Sequence, residues 1–258
     1  MSMRELCERV AGRYQRTVSG AFFRRSVPMA NRTPIVSFSF DDFPRSAIQV
    51  AGPILRAHGT RGTYYTALGL MGRTESPVGR LFTLDDLMQV VNDGHELGCH
   101  THAHCDAWQT SPRVFEQSVV ENRAALGRLL PRATFPTLSY PISCPRPHTK
   151  RRVTKHFSCC RGGGQRHNAG NVSPTSVNAF FIEQALGDLA AMQRLIDTNA
   201  RDGGWLVFAT HDVEAAPTRY GCTPAIFEAV VRHAAASGAR LLPVAEAWRV
   251  VRGGAAAC

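Results

Sequence analysis

Strand-like and helix-like segments alternate about seven times along this 258-residue chain, and the connections between them are short. Strands joined through helices pair in parallel, so the alternation predicts a parallel sheet covered by helices. The predicted strands are 35–40, 62–67, 96–101, 134–140, 205–210 and 240–244, with weaker segments at 156–160 and 179–182. The predicted helices are 47–58, 83–92, 111–130, 186–201, 224–237 and 245–251, and their N-caps include Thr83, Ser111 and Thr223.

Two architectures contain such a sheet: a β/α barrel and an open doubly wound sheet. The polar residues distinguish them, because acids, histidines or a Tyr-Pro pair follow the carboxyl ends of four predicted strands. These are Asp41-Asp42, residues 100–104, Tyr140-Pro141 and His211-Asp212. A barrel collects its site from many βα loops, whereas an open sheet collects it at one switch point. We therefore expect an irregular barrel.

The length suits one large domain with a full core. We divide the chain into a basic N-terminal arm (1–33), a barrel (34–252) and a tail (253–258), with a helix over 3–14 in the arm. No apolar run reaches the ~18 residues of a membrane span, and the arm lacks the pattern of a secretory signal. The sequence therefore predicts a cytoplasmic protein with reduced thiols and no transmembrane segment. It does not indicate an oligomeric state.

Arginine dominates the charge of the chain. The formal net charge is +10, and Lys150 and Lys155 are the only lysines. Coding bias explains such an excess more simply than an anionic partner does, and because no basic run exceeds three residues, we expect no nucleic-acid partner. The basic stretch 146–166, which includes three consecutive glycines, is interpreted as a solvated loop at the rim of the site. An anionic part of a substrate is one contact available to it.

Three histidines occur within five positions, at His100, His102 and His104. All three share a face on a strand, and the first and last share a face on a helix. His100 and His104 are therefore paired under either backbone, and two imidazoles on one side can bind a first-row metal. The alternative is a solvated polar loop, and the clustering favours the metal site.

Asp41 and Asp42 end the apolar strand 35–40. Neighbouring aspartates at a bent strand end point in different directions, so one can bind a metal while the other acts as a general base towards water. A helix N-cap is the alternative. His211 ends the strand 205–210. Taken alone, it is slightly better explained as a core residue than as a general acid.

Four short motifs occur in a fixed order: Ser39-Phe40-Asp41-Asp42, Gly94-His95-Glu96-Leu97-Gly98, His100-Thr101-x-x-His104, and residues 206–211 ending in His211. Together, their order and spacing resemble the polysaccharide deacetylases, the NodB-homology domain of carbohydrate esterase family 4. The resemblance covers residues 34–251. It implies a distorted (β/α)7 barrel and one divalent metal, usually zinc.

The resemblance also implies a role for each matching residue. Asp42, His100 and His104 would be the metal ligands, Asp41 the general base and His211 the general acid. Thr101 would hold the histidine loop by a hydrogen bond. A backbone N–H near Tyr140, Pro141 and Ile142 would stabilise the tetrahedral oxyanion together with the metal. The implied reaction is hydrolysis of an N-acetyl group on an amino sugar by a metal-bound water.

The chain departs from the family pattern in three places. Phe43 stands where a glycine usually follows the aspartates. The third motif, 138–142, lacks the arginine that orients the base, and Arg161 is our hypothesis for its replacement. The fourth motif, an aspartate that orients the acid histidine, has two equal candidates in Asp188 and Asp212.

The leading hypothesis is a metal-dependent N-deacetylase of an N-acetylated sugar, oligosaccharide or saccharide precursor. A chito-oligosaccharide, as in nodulation-factor synthesis, is one such substrate. An amidohydrolase of the same fold that cleaves a small amide is an alternative, as is a catalytically silent saccharide-binding barrel. Retention of the whole polar cluster favours an enzyme, because a silent barrel has no physical reason to keep it.

Overall fold

Strands and helices alternate over residues 3–253, the part of the chain that the computed structural model describes. The strands are β1 (Val27–Pro28), β2 (Ile35–Phe40), β3 (Thr63–Thr66), β4 (Glu96–Cys99), β5 (Thr137–Ser139), β6 (Cys159–Arg161), β7 (Asn171–Val172), β8 (Phe180–Phe181), β9 (Trp205–Thr210) and β10 (Arg240–Leu241). The helices are α1 (Met3–Ala21), α2 (Gly52–Ala57), α3 (Leu84–Asn92), α4 (Pro112–Leu129), α5 (Pro147–Val153), α6 (Leu189–Arg201), α7 (Pro224–Ala236) and α8 (Val244–Val251). Between residues 3 and 253, no helix combines the length and apolarity needed to cross a bilayer.

Seven parallel strands form a curled sheet in the order β6-β5-β4-β3-β2-β9-β8. β10 pairs with the first two residues of β2, whereas β3 pairs with the last two residues of β2. A bridge between Arg161 and Val177 links β6 to the chain just before β8, so the two edges of the sheet approach each other. The distorted (β/α)7 barrel is confirmed, and the open sheet is excluded.

β2 and β9 form the centre of the barrel, and every residue of both strands is buried. Strands buried on both faces require the continuous runs of apolar and small residues seen in their sequences. The Phe38 and Phe208 rings stack across the pair with centroids 5.7 Å apart. The register pairs Phe40 with Thr210. The residues that follow, Asp41 and His211, therefore leave the barrel side by side.

Several boundaries differ from the sequence prediction. The arm helix continues to Ala21 rather than residue 14, and β1 pairs with β7 beyond it. The strand predicted to reach residue 101 ends at Cys99, because Thr101 adopts a φ of +57°. The basic stretch predicted as a loop contains α5. Within the predicted tail, residues 254–258 lie outside the described part of the chain.

The helix starts follow the predicted capping chemistry. Thr83 forms a capping box with Asp86, and the side chains of Ser111 and Thr223 accept hydrogen bonds from the first turns of α4 and α7. The helix predicted from residue 186 begins three residues later, at Leu189. Leu186 and Gly187 both have positive φ, and Asp188 caps the helix.

Glu96 connects β4 to two neighbouring elements at the amino end of the barrel. Its Oε1 accepts a hydrogen bond from Thr137 Oγ1 at 2.6 Å, and its Oε2 accepts one from the Ala245 amide at 2.7 Å. Burial raises the pKa of Glu96 to about 7. The folded protein therefore keeps a proton on the Glu96 carboxyl group at pH values where the unfolded chain has released it. The stability that this protonated group contributes is lost as pH rises through about 7.

We expect Glu96→Gln to raise the free energy of unfolding at pH 8 by about 1–3 kcal/mol and to change it little at pH 5. The glutamine side-chain amide can accept a hydrogen bond from the Ala245 backbone amide and donate one to the Thr137 hydroxyl, so both contacts are kept. Urea denaturation at the two pH values measures the difference, with the exposed Glu228→Gln as the control for loss of one charge. An equal effect on the free energy of unfolding at both pH values would contradict the raised pKa of Glu96.

Candidate active site

Three side chains converge at the carboxyl end of the barrel. Asp42 follows β2, and His100 and His104 follow β4. The Nε2 atoms of His100 and His104 lie 3.3 and 2.9 Å from Asp42 Oδ1, and the three ligand atoms are all within 4.8 Å of one another. Asp42 Oδ1 is buried and accepts no hydrogen bond of good geometry. Two imidazole nitrogens and one carboxylate oxygen suit a divalent first-row metal, so these residues fit one.

The charges of this triad shift the pKa values of Asp42 and His104. Burial raises the pKa of Asp42, but the His100 and His104 imidazoles that face Oδ1 outweigh burial and hold the pKa well below its usual range. Burial lowers the pKa of His104, but the Asp42 carboxylate outweighs it and raises the pKa above its ordinary value. The site therefore favours a carboxylate with positive charge opposite it, as a bound cation requires.

The backbone after β4 determines which histidines meet. Thr101 is fully buried at positive φ, and its Oγ1 accepts a hydrogen bond from the Cys105 amide at 2.9 Å. This closes a tight turn, so the chain continues neither as a strand nor as a helix. His104 turns back towards His100, while the His102 ring lies against Gly69, where a Cβ would be 2.9 Å from the ring. His102 is therefore not part of the triad.

His100 is oriented by a backbone group. Its Nδ1 lies 2.9 Å from the Ser139 carbonyl oxygen, in β5. A proton on Nδ1 donates to that oxygen, which leaves the Nε2 lone pair facing Asp42. Metal-binding histidines commonly have their tautomer fixed in this way.

Asp41 forms a buried ion pair with Arg161. Arg161 Nη2 contacts both carboxylate oxygens of Asp41, and the two residues are 1% and 4% exposed. The guanidinium lies between the Tyr65 and Phe181 rings, 5.2 Å from each centroid. Burial raises the pKa of Asp41. The charges of Arg161, His100 and His211 outweigh burial, with Arg161 contributing most, and leave the pKa below its ordinary value. Asp41 is therefore an ionised carboxylate.

Arg161 reaches Asp41 from β6, the strand next to the one that carries the third motif. It belongs to β6 and is paired in register with Ser139 of β5, within the third motif that lacks an arginine. Arg161 Nη2 also contacts Ser139 Oγ, so the small serine leaves room for the guanidinium.

His211 is oriented by the loop that follows β9. Its Nδ1 lies 3.1 Å from the Tyr220 carbonyl oxygen. The two aspartates considered for this task have other partners: Asp188 caps α6, and Asp212 accepts hydrogen bonds at 2.6 Å from the amide and hydroxyl of Thr218. Asp212 therefore shapes the loop that carries Tyr220.

Residues 140–142, the predicted oxyanion segment, offer one free amide. The Tyr140 amide donates to the Arg161 carbonyl at 3.2 Å, and Pro141 has no N–H. The Ile142 amide donates to no acceptor among the described residues. Ile142 has a φ of +64°, and its side chain is 70% exposed. Of the three residues predicted to provide an oxyanion donor, only Ile142 has an amide available.

Strained backbone is concentrated at this site. Asp42, Phe43, Thr101, His104 and Ile142 all have positive φ although none is glycine. Such conformations persist only when the surroundings hold them. At Phe43, where the family has glycine, the buried ring stacks on Phe82 with centroids 4.9 Å apart. The packing of this ring compensates for the strain that glycine would avoid.

Sequence reasoning missed Glu183, which follows β8 at the same end of the barrel. Burial raises its pKa to about 8, and the charges of Asp41, Arg161 and Asp212 act on it. Its Oε2 is buried without a hydrogen-bond partner among the described residues. Glu183 is therefore mostly protonated at neutral pH and adds little negative charge beside Asp41. It follows a weak strand segment and belongs to no motif, so no sequence signal marked it.

The sequence matches the family model described as polysaccharide deacetylase over residues 29–157, half of the chain. This chain belongs to the polysaccharide deacetylase family. The family match includes Asp41, Asp42, His100 and His104, whereas Arg161 and His211 lie beyond it. A comparison with curated protein sequences yields no match.

Solved structures show the same deacetylase fold at low identity. A family 4 acetyl xylan esterase from Clostridium thermocellum, in complex with cobalt, is 17% identical with a TM-score of 0.56, over 86% of this chain and 93% of that one. A chitin deacetylase from Colletotrichum lindemuthianum is 15% identical with a TM-score of 0.60, over 86% and 90%. The peptidoglycan deacetylase PdaC from Bacillus subtilis is 12% identical with a TM-score of 0.52, over 85% and 92%. At these identities, the likeness supports the barrel fold.

We expect the purified deacetylase to bind about one divalent metal per chain. His104→Ala should weaken binding by at least about 100-fold, because it removes a direct ligand. His102→Ala is the matched control from the same loop and should bind as the wild type does. Elemental analysis and calorimetric titration with Zn²⁺ measure both. Equal loss in the two variants would contradict the assigned triad.

Proposed function

We propose that this chain is a zinc-dependent hydrolase that removes N-acetyl groups from an amino sugar in a saccharide. The observation that carries the proposal is the ionised Asp41 beside the triad of Asp42, His100 and His104, with His211 leaving the adjacent strand. Related structures support acetylated saccharides as the substrate class, since they are named for acetyl xylan, chitin and peptidoglycan.

Asp42, His100 and His104 would hold the metal, which would supply a Lewis acid that acidifies water and polarises the acetyl carbonyl. Asp41 takes the proton from the attacking water. Arg161 acts as a positioning residue, because its contacts fix the orientation of the Asp41 carboxylate and keep it ionised before the reaction. The Ile142 amide, which has no acceptor among the described residues, would donate to the oxygen that becomes negative.

His211 gives a proton to the leaving amine. Its Nδ1 faces the Tyr220 carbonyl oxygen at 3.1 Å, so Nε2 is the nitrogen available for proton transfer. A backbone carbonyl fixes the tautomer as a carboxylate would, but contributes no full negative charge.

The first test is acetate release from a chitin tetramer by the zinc-loaded protein. Asp41→Asn should lower kcat by about 10²–10⁴-fold, because it removes the base, while zinc content stays at the wild-type level. Metal content is measured on the same preparation. Hydrolysis of p-nitroacetanilide with none of the tetramer would favour the small-amide alternative. Full activity of Asp41→Asn would overturn the assigned base.

The second test moves the guanidinium back to β5. Arg161→Ser should lower kcat by about 10–100-fold, because Asp41 loses its orienting partner. The double variant Ser139→Arg/Arg161→Ser restores a guanidinium one strand away and should recover at least part of the loss. Thermal unfolding of both variants separates positioning from general destabilisation. Equal stability of both variants without recovery of kcat would count against an orienting role for Arg161.

A further inference from the structure

A large cavity opens beside the catalytic centre. Its volume is about 850 Å³, and it lies between α1, the turn after β5 and the loop 162–166 after β6. Arg161 and Ile142 form part of its wall, so it adjoins the carboxylate that Arg161 holds. Ligand pockets typically span about 300–1,000 Å³, so the cavity is large enough for a substrate group that extends from the reacting sugar.

The walls of this cavity are strongly cationic. Arg16, Arg24, Lys150 and Arg166 line it, and no aspartate or glutamate within residues 10–253 does. Over residues 10–253, where side chains are described, none of the four forms a salt bridge. The positive charge of Arg161 is already balanced by Asp41. The cavity therefore has an excess of positive charge that the described protein leaves uncompensated.

Lys150 is the most constrained of these cations. It is 1% exposed, and its Nζ donates to the carbonyl oxygens of Ser19 and Phe22 at 2.5 and 2.9 Å, at the carboxyl end of α1. Burial, together with the charge of Arg24, lowers its pKa. A buried ammonium without a counter-ion is unfavourable, and the partial charge of a helix end balances it only in part. An anion in the cavity would complete the balance.

The glycine loop after β6 adds neutral donors to the same wall. Gly163 and Gly164 are exposed and line the cavity, and their amides donate to no acceptor among the described residues. Successive backbone amides are well suited to phosphate oxygens. A single carboxylate would bring one negative charge to the four cationic side chains. A phosphate brings nearly two negative charges and several acceptor oxygens, so it matches them better.

We propose that this cavity binds a phosphate group of the substrate, which makes the natural substrate an N-acetylated saccharide that carries a phosphate or diphosphate. The proposal rests on the deacetylase function proposed above. The phosphate lies against Arg24, Lys150, Arg166 and the glycine amides, while the acetamido group of the sugar reaches Asp41. A nucleotide-linked sugar and a prenyl-linked sugar share this chemistry.

The test compares acetate release from N-acetylglucosamine 1-phosphate with release from the neutral methyl glycoside of the same sugar. The wild type should have a kcat/KM at least about tenfold higher for the phosphorylated sugar, and 0.5 M NaCl should reduce that ratio. The double variant Arg24→Gln/Arg166→Gln should lower the ratio by about tenfold or more. The matched control Arg132→Gln removes an exposed arginine that does not line the cavity, and it should leave the ratio unchanged.

The outcomes separate the phosphate site from the deacetylase function. Acetate release at similar rates from both sugars would overturn the phosphate site and leave the deacetylase intact. If neither sugar is hydrolysed, calorimetric titration with N-acetylglucosamine 1-phosphate decides. Binding that Arg24→Gln/Arg166→Gln abolishes would support the phosphate site and contradict deacetylation of that sugar, whereas absence of binding would overturn the site.

The same assay identifies the source of the phosphate. One arm uses uridine diphosphate N-acetylglucosamine in solution, and the other uses a prenyl diphosphate-linked N-acetylglucosamine in detergent micelles. The arm with the higher kcat/KM identifies the carrier. Equal preference for both would indicate that the diphosphate alone is recognised, and preference for neither over the neutral sugar would overturn the proposal.

Discussion

The buried ion pair between Asp41 and Arg161 is the interaction on which the site depends. Two charges inside a barrel are stable only when further contacts offset their desolvation. Arg161 has such contacts with Ser139 Oγ, the Gly162 carbonyl and two flanking aromatic rings. The pair depends on the β5–β6 register, because a shift by one residue would turn Arg161 to the opposite face of the sheet. The chemistry therefore rests on a strand pairing far along the chain from Asp41.

Much of the fold was readable in the sequence because its signals are local. Alternating periodicity and strand-end polar residues predicted the barrel, and capping residues such as Thr83 marked helix starts. The convergence of Asp42, His100 and His104 also follows from motif spacing. Strand ends were less predictable, since the left-handed conformation of Thr101 depends on a hydroxyl that accepts from Cys105, a contact formed only after the turn has folded.

The remaining features depend on tertiary neighbours. The hypothesis that Arg161 replaces the missing motif arginine requires the β5–β6 register, which places it across from Ser139. The partner of His211 is the carbonyl of Tyr220, and a search for an acidic side chain cannot find a backbone oxygen. Glu183 becomes notable only because the fold buries it beside other charges. Register, backbone acceptors and burial are properties of the folded chain, so a single sequence leaves them open.

The guanidinium comes from β6 here, rather than from the third motif on β5, and this position also affects how charge is distributed around the reacting atoms. Arg161 lies on the boundary between the catalytic centre and the cationic cavity, and Asp41 balances its charge in the resting state. In the proposed reaction, Asp41 accepts a proton, which removes that balance and leaves the guanidinium charge facing the cavity. An anionic group already bound there would stabilise this state more than the resting one, because the attraction grows as Asp41 is neutralised. Substrate charge would then assist proton transfer as well as binding.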